Sequence, residues 1–302
     1  MNDPTLFRPW GTAGAGDDPL LITPELAGWR YSGLRVVHLP PGGERVLATG
    51  EHEVAVIPLA GSVTVETEGR RFELAGRESV FTAVSDFAYV PRDAELRLSG
   101  AHGCQLALAS ARATRRLDPA YGPAAGVPVE VRGTGRATRQ ANNLMTPDVF
   151  EADKLIVCEI LTPDGNWSSH PPHKHDTASA HESVNEEIYF FRVAGRDGRT
   201  PDRTGFGLHR TYTTDGSIDE TVTVRDGDAF LVPRGYHGPC VATPGHHLYY
   251  LNVMAGPADE RAMLACDDPA HHWMRESWAE DEPDPRCPLT PLPAPAPNGG
   301  TR

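Results

Sequence analysis

The chain has 302 residues and a formal net charge of −13 at pH 7. This length allows two domains of roughly 130–150 residues each. The acidic balance argues against nucleic acid as the main ligand, because phosphate binding needs a basic surface. No apolar run is long enough for a membrane span, and the N-terminus lacks the basic and apolar regions of a signal peptide. We therefore expect a cytoplasmic protein that binds neither nucleic acid nor membrane.

The five cysteines are scattered along the chain and form no C-x-x-C pair. A disulfide framework or a thiolate zinc site is therefore not expected, and reduced thiols in the cytosol fit this pattern better.

Short runs of β-branched and aromatic residues predict strands along the whole chain. Gly, Pro, Asp and Asn separate these runs, and long helix-period patterns are scarce. The pattern predicts an all-β protein built of antiparallel sandwiches or small barrels. In chain order the predicted strands are residues 34–39, 53–59, 62–69, 79–84, 87–90, 104–110, 154–161, 187–193, 207–213, 229–233 and 248–254.

The two halves of the chain resemble each other. EVAVIPLAG (53–61) aligns without a gap with EIYFFRVAG (187–195), and VPR (90–92) aligns with VPR (232–234). The spacing between these anchors is similar in both halves, which indicates a duplicated β-domain, although two short matches also arise by chance.

This comparison predicts three regions. Residues 1–125 form an N-terminal domain and residues 126–275 form a C-terminal domain. Residues 276–302 are acidic and then Pro-rich, so we expect a tail that is disordered or at most extended on the surface.

Four residues of the C-terminal half predict one metal site: His173, His175, Glu187 and His237. Residues two apart face the same side of a strand, so the imidazoles of His173 and His175 point the same way. Glu187 opens the next strand, and His237 follows a Pro-x-Gly turn. Three imidazoles and one carboxylate suit Zn, Mn, Fe, Ni or Co, and a site without thiolates usually keeps open positions. The alternative is a polar loop in which the H-x-H pair occurs by chance.

These residues spell the two cupin motifs, G(x)n-H-x-H-(x)n-E and G-(x)5-P-x-G-x-H. The gap between His175 and Glu187 is longer than usual, which implies an inserted loop over 176–185. NWSSHPPHKHD, EEIYFFR, GFGLHRTYT, DGDAFLVPRGYH and YYLNVMAGP, together with VRGTGRATRQANN and DPAHHW, resemble the 5-deoxy-glucuronate isomerase family of inositol catabolism. The resemblance spans about 130–275 and is looser over 1–125, where it is mainly a cupin skeleton.

The resemblance implies a bicupin, an all-β protein with two cupin-type β-barrel (jelly-roll) domains. It also implies a metal-dependent aldose–ketose isomerase that converts 5-deoxy-glucuronate to 5-dehydro-2-deoxy-gluconate through a metal-stabilised enediolate. The chain departs from the family pattern at His170, where an aromatic residue is usual, and at His209, where Gln is usual. These departures bear on substrate detail and not on the metal site.

A second metal site is not expected in the N-terminal half. The ungapped alignment matches Glu53 with Glu187, but no H-x-H precedes Glu53, and Glu95 stands at the position of His237. We expect this half to be structural and to pack its sheet against the other half.

Further residues are candidates for chemistry and for substrate binding. Tyr189 shares a strand face with Glu187, and Tyr249 or Tyr250 lies on a later strand, although such tyrosines are more often core residues. An arginine is expected to bind the substrate carboxylate, although exposed arginines are as often simply solvated. The catalytic candidates are Tyr189, Arg210 and Tyr249, and the substrate-binding candidates are Arg139, Arg234 and His170.

Two other functions fit the same ligands. A cupin dioxygenase would hold Fe or Ni and bind O2 at an open position, and a non-enzymatic cupin would bind a sugar acid without turnover. The expected partners are a small sugar acid and one divalent metal ion, with Zn or Mn favoured over Fe, Ni or Co. A homo-oligomer is the default expectation, because soluble enzymes commonly associate symmetrically.

Overall fold

Strands make up nearly all of the regular structure in the computed structural model, which describes residues 6–293. In the strand Gly43–Ala48 every second residue is exposed, as expected where one face is buried and the other is solvated. No helix within the described residues has the length and apolarity to cross a bilayer. The helical segments are short: α1 (Pro24–Ala27), α2 (Met274–Ser277) and the 3-10 turns Ala124–Gly126 and Gly135–Ala137.

The first half of the chain forms one curled antiparallel sheet of nine strands, β2 to β10. The first ten strands are β1 (Phe7–Arg8), β2 (Leu20–Ile22), β3 (Ser32–Leu39), β4 (Gly43–Ala48), β5 (His52–Thr67), β6 (Arg70–Arg77), β7 (Phe87–Val90), β8 (Glu95–Gly100), β9 (Cys104–Arg112) and β10 (Ala120–Gly122). The main order is β10-β7-β5-β9-β3-β2, while β6 and β8 pair with the long strand β5 and β4 pairs with β8.

The second half forms two antiparallel sheets. Its strands are β11 (Val129–Arg132), β12 (Arg139–Asn142), β13 (Ile156–Thr162), β14 (Trp167–Ser168), β15 (His173–Lys174), β16 (Glu186–Val193), β17 (Gly207–Tyr212), β18 (Asp219–Val224), β19 (Ala229–Val232), β20 (Tyr236–Ala242), β21 (Leu248–Ala255) and β22 (Cys266–Asp267). The seven-stranded sheet has the order β1-β19-β16-β21-β13-β12-β11. The six-stranded sheet has the order β18-β17-β20-β15-β22, with β14 beside β20.

The two halves repeat one arrangement of strands. The order β7-β5-β9-β3 in the first half corresponds to β19-β16-β21-β13 in the second. Side-chain alternation then builds three apolar cores. One core fills each barrel, and the third lies between the halves and contains residues from both, such as Ile57 and Phe190. The prediction of an all-β protein with two cupin-type barrels is confirmed.

Two glutamates hold the halves together in a reciprocal way. The Glu53 carboxylate, at the start of β5, accepts backbone N–H groups of Asp153, Lys154 and Leu155 at 2.6–2.8 Å. The Glu186 carboxylate, at the start of β16, accepts backbone N–H groups of residues 30–32 at 2.7–3.0 Å. The Glu53 carboxylate therefore fixes the segment that leads into β13 of the second half. The Glu186 carboxylate fixes the segment that leads into β3 of the first half.

A buried ion pair also crosses between the halves. The Arg77 guanidinium donates two hydrogen bonds to the Glu159 carboxylate, and both side chains are inaccessible to solvent. Tyr249 and Asn142 donate to the same carboxylate at 2.9 Å. A buried ion pair is tolerated when further hydrogen bonds satisfy its remaining polar atoms. The bonds from Tyr249 and Asn142 to the Glu159 carboxylate meet this condition.

The structure corrects two of the strand predictions. Residues 79–84 form a turn and not a strand, with Val80, Phe81 and Val84 buried in the core between the halves. The two strands expected over 53–59 and 62–69 form the single strand β5.

Part of the predicted tail lies within the described residues and contacts the second half. Thr290 is buried and receives a hydrogen bond from Gln140 at 2.7 Å, and Arg286 pairs with Asp164 at 2.6 Å. Residues 276–293 therefore pack against the second half, and the rest of the predicted tail lies outside the described residues. The boundaries 1–125 and 126–275 stay predictions.

The Glu53 contacts generate a stability prediction. Glu53→Gln replaces an oxygen that accepts hydrogen bonds with an NH2 group, so buried N–H donors lose their partner. We expect the free energy of unfolding to fall by about 2–4 kcal/mol, measured by denaturant or thermal unfolding. The control is Glu51→Gln, because Glu51 is exposed and makes one loose contact with Arg112. Equal stability of the two variants would contradict the account.

Candidate metal centre

The structure brings the four predicted ligands together inside the second barrel. Short strand β15 lies beside β20, so that His173 and His237 are direct cross-strand partners. Glu187 faces them from β16 in the opposite sheet, where it pairs with Val232 and Met254. The ligand atoms of His175, Glu187 and His237 lie within 4.8 Å of one another, and the rings of His173 and His237 are 4.5 Å apart.

Hydrogen bonds orient each imidazole in the same way. The Nδ1 atom of His175 lies 3.0 Å from the carbonyl oxygen of Asn185. The Nδ1 atoms of His237 and His173 each lie 3.3 Å from a backbone carbonyl. A carbonyl can only accept, so each Nδ1 atom donates its proton there and Nε2 is the nitrogen that is left for a metal ion. This arrangement is typical of histidines that bind a metal.

The spacing of the donor atoms fits a divalent cation. The Nε2 atoms of His175 and His237 both lie 3.0 Å from the same oxygen of Glu187. Yet the His237 Nε2 is buried without a hydrogen-bond partner. Ligand atoms at right angles around an ion about 2.1 Å away are about 3.0 Å apart. The donor set of this chain therefore fits one divalent metal ion.

Electrostatics favour the forms of His173 and Glu187 that bind a cation. Burial lowers the pKa of His173 to about 3, and the neighbouring His237 and His175 add to this effect. Burial acts to raise the pKa of Glu187, but the neighbouring His237 and His175 outweigh it and hold that pKa well below its usual range. His173 is therefore neutral and Glu187 is anionic near pH 7.

The segments that carry the ligands are fixed by their own contacts. Asp176 accepts the backbone N–H of Gly235 at 2.7 Å, which ties the residue after His175 to the turn before His237. Glu182 accepts the backbone N–H groups of Asp176 and Thr177. Residues 176–185 therefore form an ordered loop without regular secondary structure, in the place where an insertion is expected.

A model of the KduI/IolB family matches residues 12–274 of the chain. The chain belongs to the KduI/IolB family. The resemblance seen in the sequence is thereby confirmed, and the match extends over the first half, where the sequence pattern is weaker.

Relatives in this family are similar over most of their length. A 5-deoxy-glucuronate isomerase of Geobacillus thermodenitrificans is 40% identical over 259 residues, which cover 85% of this chain and 90% of the relative. A 5-deoxy-glucuronate isomerase of Bacillus subtilis strain 168 is 34% identical over 249 residues, with coverages of 82% and 88%.

Solved structures share the fold. The crystal structure of an IolB-like protein from Salmonella typhimurium LT2 has a TM-score of 0.82 and 33% identity, and covers 89% of this chain and 99% of that chain. The oxalate decarboxylase of Lactobacillus farciminis has a TM-score of 0.62 and 11% identity, with coverages of 88% and 90%. At that identity the second likeness concerns the fold alone.

Only some of the other predicted residues line the cavity beside the ligands. Tyr189 and Arg139 line it. Residues of the cavity wall that the sequence did not single out for chemistry are Arg132, Cys158, Ile160, Ser169, Asn185, Asn252, Met254, Met263, Leu264 and Ala265. Tyr250, which the sequence offered as an alternative to Tyr249, also belongs to this wall. Ser169 lies within 3.2 Å of the Tyr189 hydroxyl and 2.9 Å of the Tyr250 hydroxyl.

The structure places Tyr249 away from the cavity. Tyr250 and Tyr249 are neighbours on β21 and therefore face opposite sides. Tyr250 points into the barrel core, while Tyr249 points into the core between the halves and donates to Glu159. The alternation of side chains along a strand predicts that one of the two neighbouring tyrosines faces the site. It does not predict which of the two does so.

Three further candidates also lie outside the cavity wall. Arg210 is 44% exposed and pairs with Asp219, and Arg234 is 49% exposed and donates to Ser217 at 2.7 Å. His170 packs against Trp167 and His271, with ring centroids 5.6 and 6.1 Å away. His209 is buried in the barrel, where its ring lies 4.9 Å from that of Tyr189.

The pairing of strands corrects the sequence alignment of Glu53 with Glu187. Glu187 pairs with Val232, and the matching residue Val90 pairs with Val54 and not with Glu53. A shift of one residue reverses the face of a strand. Val54 therefore occupies the barrel position of Glu187, while Glu53 corresponds to Glu186, which explains why both bind backbone N–H groups across the halves.

Gly238, next to His237, generates a prediction about the site. Its φ is +98°, and a Cβ added there would lie 1.8 Å from the carbonyl oxygen of Ser169. Gly245 provides a matched control, with a φ of +87° and open space around the added Cβ. We expect Gly238→Ala to lower the free energy of unfolding by at least about 2 kcal/mol more than Gly245→Ala does. Unfolding experiments that gave equal losses would contradict this packing.

Proposed function

We propose that this chain isomerises 5-deoxy-glucuronate to 5-dehydro-2-deoxy-gluconate with one divalent metal ion on His173, His175, Glu187 and His237. The observation that carries the proposal is the common orientation of three imidazoles and one buried carboxylate in a cavity of a KduI/IolB family member. The chain is then an enzyme, an intramolecular oxidoreductase acting on a small sugar acid. Its metal-binding domain spans residues 126–275, and Zn or Mn suits these ligands best.

The metal would act as a Lewis acid that stabilises negative charge on the substrate oxygens beside the reacting carbons. The chain itself supplies ligands that are already oriented, so little reorganisation accompanies the reaction. Buried side chains such as Glu187, Tyr189 and Tyr250 line the cavity beside the ligands and would limit the access of bulk water to the reacting end of the sugar.

Tyr189, Ser169 and Tyr250 form a chain of hydroxyl groups along the cavity wall. Burial raises the pKa of both tyrosines well above the usual value, and the Glu187 carboxylate adds to this effect at Tyr189, so they remain protonated and able to donate. An aldose–ketose conversion moves one proton between the two reacting carbons and another between the oxygens attached to them, and the hydroxyl chain would serve the proton on oxygen. The three hydroxyls provide a path for that transfer in which each group donates and accepts in turn.

The strained backbone of Ser169 supports this role. Its φ is 46°, in the left-handed region that residues other than glycine and asparagine rarely occupy. Such strain persists where the surrounding structure enforces it, and it concentrates at functional sites. In this conformation the Ser169 hydroxyl lies between the hydroxyl groups of Tyr189 and Tyr250.

Turnover of 5-deoxy-glucuronate with and without metal tests the proposal. We expect a chelator to abolish isomerisation, because the site then lacks the Lewis acid that stabilises the negative charge on the substrate. One added divalent ion per chain should restore the activity. The same reaction under nitrogen should proceed at the same rate. A reaction that stops without oxygen would support a dioxygenase, and a metal-saturated protein that turns over no uronate would support a binding protein.

The two neighbouring tyrosines of β21 give a matched pair of variants. We expect Tyr250→Phe to lower kcat by about 100-fold with unchanged metal content, because it breaks the hydroxyl chain. We expect Tyr249→Phe to lower the unfolding midpoint instead, because Glu159 loses a buried donor. Steady-state kinetics, metal analysis and thermal unfolding distinguish the two. Loss of kcat in Tyr249→Phe but not in Tyr250→Phe would reverse the assignment.

A further inference from the structure

Two arginines face each other at one side of the cavity. Arg132 on β11 and Arg139 on β12 are direct cross-strand partners, and both line the cavity that also holds His173, His175 and Glu187. Like charges placed directly opposite each other destabilise an antiparallel pair of strands. The pair therefore needs a negative charge nearby.

Arg132 has a carboxylate partner within the chain, whereas Arg139 has none among the described residues. Arg132 donates to the Glu130 carboxylate at 2.7 Å and to the Asn143 side chain at 3.0 Å. Arg139 is only 9% exposed. Among the described residues its hydrogen bond goes to the backbone oxygen of Ala137 at 3.1 Å, so most of its five donors are unused.

Burial disfavours the protonated form of Arg139, but the side chain keeps its charge at pH 7. Burial, followed by the charges of Arg132 and Arg275, lowers its pKa to about 10. The group is therefore still a cation at pH 7. A buried cation without a carboxylate partner is destabilising, so its position in the ligand-free protein calls for a functional explanation.

The surrounding structure is shaped around this guanidinium. The ring of Trp278 lies 5.4 Å from it, within the range of a cation–π contact. A Cβ added at Gly133 would lie 2.8 Å from its Nη1 atom, so glycine leaves room for the side chain. On β21 of the same sheet, the Nδ2 atom of Asn252 also lines the cavity, is buried and has no hydrogen-bond partner among the described residues.

We propose that Arg139, assisted by Arg132, binds the carboxylate of the sugar acid in this cavity. The proposal rests on the proposed function, because the metal would hold the aldehyde end of the same molecule and the carboxylate is at its other end. A guanidinium matches the two oxygens of a carboxylate with two parallel hydrogen bonds. The arginine pair thus determines that the site takes a sugar acid and not a neutral sugar.

Binding measurements on the metal-loaded enzyme test the subsite without turnover. Glucuronate and glucose differ at one carbon, as carboxylate and hydroxymethyl, so calorimetric titration with both isolates the carboxylate. We expect glucuronate to bind at least tenfold more tightly than glucose. Arg139→Met keeps the length and apolar contacts of the side chain and should abolish that difference, while Arg132→Ala should reduce it severalfold. Arg97→Ala, on exposed strand β8, is the charge-matched control and should bind as the wild type does.

Kinetics and stability give a second readout. Arg139→Met should raise KM for 5-deoxy-glucuronate at least tenfold with a smaller change in kcat and an unchanged metal content. Arg139→Lys should recover only part of the loss, because an ammonium group is not bidentate. In the ligand-free protein Arg139→Met should unfold at the same or a higher temperature than the wild type, because it removes an unpaired buried charge.

Unchanged KM and unchanged glucuronate affinity in folded, metal-loaded Arg139→Met would overturn the proposal. So would a lower unfolding temperature with normal KM, which indicates a purely structural arginine, or phosphate binding as tight as that of glucuronate. If Arg139→Met does not fold, the same measurements on Arg132→Ala decide. A protein that turns over no 5-deoxy-glucuronate but binds glucuronate through Arg139 would contradict the proposed function and leave the subsite supported.

Discussion

The alternation of side chains at the start of β16 is the constraint on which the rest of the structure depends. Glu186 points toward the first half and accepts three backbone N–H groups there. Glu187 points into the barrel, where His175 and His237 converge on it. A register shift of one residue would exchange the two carboxylates. The same strand register thus fixes both the pairing of the two halves and the geometry of the candidate metal centre.

The first half keeps one of these two features and has lost the other. Glu53 performs the task of Glu186 in the opposite direction, while Val54 takes the barrel position of Glu187 and packs in an apolar core. The buried pair of Arg77 and Glu159 adds a second link between the halves. The first half therefore supplies contacts that position the second, and the candidate metal centre lies in the second.

Much of this could be predicted from the sequence, because the signals are local. The H-x-H pair and the Pro-x-Gly-x-His turn carry their own geometry, so the donor atoms of His175, Glu187 and His237 converge and the His173 ring lies beside that of His237. The choice between Tyr249 and Tyr250 was beyond the sequence, since alternation fixes relative faces but not which face meets the barrel. The alignment of Glu53 with Glu187 was wrong for the same reason, because the sequence does not show which of two neighbouring residues faces the barrel. Arg132 and Asn252 were missed because their place in the cavity wall becomes visible only in three dimensions.

Metal analysis of one variant tests the central claim most directly. The wild-type protein and His102→Ala, which changes an exposed turn residue, are saturated with a divalent metal ion, dialysed and assayed for bound metal beside His175→Ala. The account predicts one tightly bound ion per chain in the first two proteins and almost none in folded His175→Ala. Full metal content in His175→Ala, or no tightly bound ion in the wild type, would contradict it.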